Sequence, residues 1–83
     1  MNFEVVHMSR GEIRLKSEEK LVRVLGEALI AAAPTNPSYV IYLNSLINWE
    51  VPPDVALIEA ERKEIVGAIR KHFQDRGSVV ESE

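Results

Sequence analysis

The chain has 83 residues, of which 46% are hydrophobic and 28% charged, and it contains no cysteine. That length supports one domain, 1–83, too apolar to be disordered and with no apolar run near the roughly 18 residues that span a bilayer. The missing cysteines exclude disulfides, thiolate nucleophiles and cysteine metal sites, and point to a cytoplasmic protein.

The first seven residues, Met-Asn-Phe-Glu-Val-Val-His, lack the basic start and long apolar stretch of a signal peptide. The net charge of −3 arises entirely in residues 50–83, because the acidic and basic residues of 1–49 cancel. Such a balance argues against nucleic acid as the partner.

Phe3–Met8 reads as a strand, rich in valine and carrying an aromatic residue. Ser9-Arg10-Gly11 supplies a turn. Glu12-Ile13-Arg14-Leu15-Lys16 then alternates polar and apolar residues, the period of a half-buried antiparallel strand. The two runs pair as a hairpin.

Ser17–Ala33 admits two readings. As a helix, Ser17 caps it and Leu21, Leu25, Ala28 and Ala32 share a face. As a strand, Lys20–Leu25 folds back on Glu12–Lys16 with Val22 and Val24 inward and Arg23 outward. Gly26 disfavours the helix and marks a bulge or a strand end. The strand is preferred for Lys20–Leu25, with Glu27–Ala32 left open.

Pro34-Thr35-Asn36-Pro37-Ser38 is a loop by composition. Tyr39–Leu43 is apolar throughout and belongs inside a sheet. Leu46-Ile47-Asn48-Trp49 resumes the strand character briefly. Pairing must stop at Pro52-Pro53, which cannot donate to a ladder.

A helix follows from about Glu59 to Asp75. Ile65, Val66, Ile69 and Phe73 form its apolar stripe, with Ile58 extending it. Acidic residues gather at its start and basic ones at its end, matching the helix dipole, and Gly77 stands at the C-terminal cap. Ser78-Val79-Val80 adds a short strand before a frayed acidic tail. The predicted fold is α+β: a curled antiparallel sheet of four or five strands with one long helix across one face.

Chemistry-bearing motifs are sparse. His7 and His72 lie in different elements, and His72 reads as a histidine at the edge of the core beside Phe73. The glycines are scattered singly, which excludes a phosphate loop, and no serine sits in a nucleophile elbow. No catalytic, cofactor or metal site is expected. Arg62 is the unexpected charge, since it falls in the centre of the helix's apolar arc. Its stem can cover apolar surface while its head reaches Glu50, Asp54 or the face of Trp49. Arg62 then either ties helix to loop or forms, with those residues, a patch that faces a partner. The opposite side of the helix, with Lys63, Arg70, Lys71 and Gln74, reads as solvated.

The ordered strings Gly-Glu-Ile-Arg-Leu, Tyr-Val-Ile-Tyr-Leu-Asn-Ser-Leu, Trp-Glu-Val-Pro-Pro and Glu-Ala-Glu-Arg-Lys-Glu-Ile together resemble small bacterial immunity proteins of polymorphic toxin systems. The resemblance spans roughly Arg10 to Gln74. It implies a protein without catalysis that binds and neutralises a toxin domain, with Tyr42, Trp49, Glu50, Pro52 and Arg62 as pattern positions. Together with the patch argued from Arg62, the expected partner-binding residues are Tyr42, Trp49, Glu50, Asp54 and Arg62. The rival readings are a self-associating homodimer paired through Tyr39–Leu43, and a small nucleic-acid-binding regulator. No membrane partner is expected.

Overall fold

A computed structural model describes residues 2–29 and 39–83. Among these residues five strands form one sheet in sequence order: β1 (Glu4–Met8), β2 (Glu12–Ser17), β3 (Lys20–Ala28), β4 (Tyr39–Ile41) and β5 (Val80–Ser82). One helix, α1 (Glu59–Gln74), crosses it, and a 3-10 turn covers Leu43–Ser45. This is the expected α+β architecture.

The hairpin of β1 and β2 forms as its alternation requires. Ile13 and Leu15 are buried while Glu12 and Arg14 face outward, and β1 carries a bulge between Val5 and His7. The second antiparallel pair settles the ambiguous stretch as strand. Leu15 faces Val22 and Ile13 faces Val24, so both valines join the core and Arg23 points out. Glu18 turns the chain between them with a positive φ of 56°.

β3 runs past Gly26 to Ala28, beyond the expected end at Leu25. Gly26 is neither a bulge nor a terminus. It pairs with Ile41, and a side chain there would collide with the Val40 carbonyl and come within 2.6 Å of the Tyr39 ring. The glycine lets two backbones approach closely. The open reading of Glu27–Ala32 is thus strand for its first two residues. Residues 30–38, including the proline loop expected at 34–38, lie outside the described part.

β4 is shorter than Tyr39–Leu43, because the 3-10 turn begins at Leu43. β5 lies slightly later than expected and replaces the frayed tail. It pairs with β4 in parallel, with Tyr39 opposite Val80, so the sheet is not wholly antiparallel. The cause is the crossover: α1 intervenes between the two strands and returns the chain in the same direction. The Glu83 amide donates to the Ile41 carbonyl at 2.9 Å.

α1 buries Ile65, Ile69 and Phe73, with Val66 half-buried beside them. Ile58 does not extend this stripe. It is the extended residue just before the helix and is 62% exposed. At the far end Gly77 adopts φ 70°, and the Ser78 amide donates to the Phe73 carbonyl at 2.9 Å, closing the helix as expected. The core combines these helix residues with Ile13, Leu15, Val22, Val24, Tyr39, Ile41, Leu46, Trp49 and Leu57.

Candidate partner-binding site

Between the 3-10 turn and α1 the chain makes an irregular hairpin. The Leu57 amide donates to the Ile47 carbonyl and the Trp49 amide to the Val55 carbonyl, both at 2.8 Å. Val51 then bridges to Leu21 on β3, and pairing stops at the two prolines as expected, the Val51–Pro52 bond being cis. This hairpin presents Ile47, Val51 and Val55 on its exposed side and turns Trp49 and Leu57 into the core.

Trp49 is 3% exposed, so its indole holds the joint from inside. Phe3 stacks on it with centroids 5.9 Å apart, and the Lys20 ammonium lies 5.1 Å from the ring centroid. The cation on Trp49 is therefore Lys20, not Arg62. The next residue, Glu50, is half-buried. It places one carboxylate oxygen 3.5 Å from Arg14 Nη2, and its other oxygen is buried without a hydrogen-bond partner among the described residues.

Arg14 Nε also pairs with Glu12 at 2.7 Å. That hydrogen bond holds the Glu12 carboxyl below its ordinary pKa and raises that of Arg14. The two acids offset a like-charge contact, because Arg14 stands opposite Arg23 across the strands.

Arg62 approaches a different set of groups. Its Nη2 donates to the Leu57 carbonyl at 3.4 Å, its Nη1 lies 3.8 Å from Glu59, and its Nε is buried without an acceptor among the described residues. The helix starts only at Glu59, so Arg62 sits in the first turn at the rim of the core. It ties helix to the preceding loop, but through Leu57. Asp54 is exposed at the hairpin tip with φ 65°.

Tyr42 follows directly on β4, and its amide donates to the Leu25 carbonyl of β3. Its hydroxyl donates to Glu27 at 3.1 Å, and that bond raises the phenol's pKa above its ordinary value. Of the five expected contact residues, Trp49, Glu50 and Asp54 thus share one hairpin. Arg62 and Tyr42 bond to other partners, and Trp49 is enclosed.

The two-fold pairing through Tyr39–Leu43 that the rival reading needs meets no free edge among the described residues, since β4 lies between β3 and β5. His7 is exposed on β1, and His72 packs edge-on to Phe73 with centroids 6.0 Å apart. Burial lowers the pKa of His72. Among the described residues no group of three His, Asp or Glu could hold a metal ion, and no helix is long and apolar enough to cross a membrane.

Arg14, Lys20 and Phe3 are partners of this joint that the sequence analysis does not single out. Only the Glu12–Arg14 pair carries a local signal, two opposite charges two apart on one strand face.

These features define a small α+β protein with a hairpin joint between sheet and helix and a mixed-charge surface, and a family model places it among the immunity proteins. It belongs to the Immunity protein 74 family, Imm74, whose model matches residues 5–83. No curated protein and no solved structure matched the chain.

Proposed function

We propose that this chain binds and neutralises a cognate toxin domain in the bacterial cytoplasm, with no catalysis of its own, by covering the toxin's working surface. The observation that carries this reading is family membership across 5–83, nearly the whole chain. Size makes blockade feasible. A standard interface takes about 800 Å² per partner, against 5504 Å² of total surface here.

The hairpin that holds Glu50 and Asp54, together with Arg62 one helical turn on, is the contact surface in this reading. Tyr42 adds an outlying contact and Trp49 supports the hairpin from within. The test is co-expression with the toxin domain encoded in the adjoining reading frame. Growth should be restored by this chain and not by an empty vector, and failure to restore growth would remove the immunity reading.

A further inference from the structure

A groove of about 450 Å³ opens between the 3-10 turn and α1. Its helical wall uses Arg62, Lys63, Val66, Gly67 and Arg70, spaced three and four apart, and Leu43 faces them. This stripe lies beside the buried one. Leu43 is 42% exposed, so the groove offers apolar surface as well as charge.

Its charge runs against that of the chain. Among the described residues three cations line it with one acid, Glu59, whose side chain is 74% exposed and stands 3.8 Å from Arg62. Arg70 donates to the Ser82 hydroxyl at 3.2 Å and so keeps its positive charge unneutralised by that bond. Arg62 Nη2 donates to the Leu57 carbonyl at 3.4 Å, and the side chain is 42% exposed, so part of its guanidinium faces the groove. A guanidinium presented in this way suits an incoming carboxylate.

Gly67 supplies an independent observation. It sits inside α1, where glycine weakens a helix, yet a side chain there would meet nothing within 4 Å. Gly26 has an internal reason to be glycine, and among the described residues none is seen for Gly67. Glycine on an open groove wall allows another backbone to come close.

We propose that this groove receives a carboxylate-bearing segment of the toxin domain, whose backbone lies over Gly67 and whose acid meets Arg62, Lys63 and Arg70. The inference rests on the immunity reading above. Electrostatic complementarity of this kind speeds encounter and selects the partner.

The test measures affinity of the full chain for the adjoining toxin domain by calorimetry, using wild type, Gly67→Ala, Lys63→Glu and Gly11→Ala. Gly67→Ala should raise the melting temperature by about 4–8 °C, as expected for relief of a helical glycine in a domain this size. It should nevertheless weaken binding by about tenfold or more, the loss expected when close packing at an interface centre is disrupted. Lys63→Glu should weaken binding and flatten its salt dependence. Gly11→Ala, at an open turn away from the groove, should bind as wild type does.

If wild type binds and all three variants match it, the groove proposal is overturned while the immunity reading stands. If wild type does not bind, the immunity reading falls and takes this occupant with it. If Gly67→Ala instead dissolves a homodimer seen by light scattering, the occupant is a second copy and the proposal is wrong.

Discussion

Arg14 on β2 reaches over β3 to Glu50, Nη2 to Oε1 at 3.5 Å, while its Nε holds Glu12 at 2.7 Å. One guanidinium thus links the first hairpin to the loop that precedes the helix. Both acids are partly solvent-exposed, so the link is modest and sensitive to salt. Arg14→Met should lower stability slightly in urea unfolding, and the difference should shrink as salt is added.

The pH dependence of this link has a definite sign. Glu12 has a folded pKa below its ordinary value of 4.5, because Arg14 bonds its charged form. Its contribution is present above the ordinary carboxylate range and is lost as pH falls through the folded value. Arg14→Met should flatten that part of the acid limb.

Trp49 is a structural anchor that Phe3 and Lys20 cover. Trp49→Ala should cost about 3–5 kcal/mol, the usual range for removing a buried aromatic residue. Lys20→Met removes only a cation over the ring and should cost about 1 kcal/mol or less. Urea titration followed by circular dichroism measures both.

The glycines at 26 and 67 should respond in opposite directions. Gly26→Ala forces a side chain against the Val40 carbonyl between paired strands, and should cost about 1–3 kcal/mol as overpacking does. Gly67→Ala meets open space on a helix and should gain about 1 kcal/mol. Thermal unfolding of the two variants compares them directly.

His72 has its pKa lowered from 6.5, first by burial and then by Arg76, against a smaller opposing pull from Asp75. A histidine held neutral by the fold contributes fully above its unfolded value, and its contribution fades as pH falls through the folded one. Stability should therefore drop below about pH 6.5, the ordinary histidine value, by more in wild type than in His72→Gln. Chemical unfolding at a series of pH values between those of histidine and carboxylate checks this.

What could be read from the chain follows from the range of each signal. The alternation of Glu12–Lys16 and the three-to-four spacing of Ile65, Ile69 and Phe73 are local, and both elements form where that periodicity puts them. Gly26 misleads because its local cost resembles a strand end, whereas its cause is the backbone of β4. The direction of β5 depends on the crossover through α1, which no property of Val80–Ser82 encodes.

The joint itself was only partly legible. The enclosure of Trp49 is not legible, since Ile47 and Val51 at the same parity are exposed, and the arrival of Arg14 and Lys20 depends on strand register. Arg62 fell on the apolar arc by angle alone. Its place in the first helical turn puts its guanidinium on the Leu57 carbonyl instead of on Glu50.

The most direct test of the immunity role is a titration of the purified toxin domain's activity with this protein. Blockade without catalysis predicts a linear fall to full inhibition at one protein per toxin, with toxin of unchanged mass regaining activity when the complex is separated. Inhibition by far less than one equivalent, or none at large excess, would contradict it.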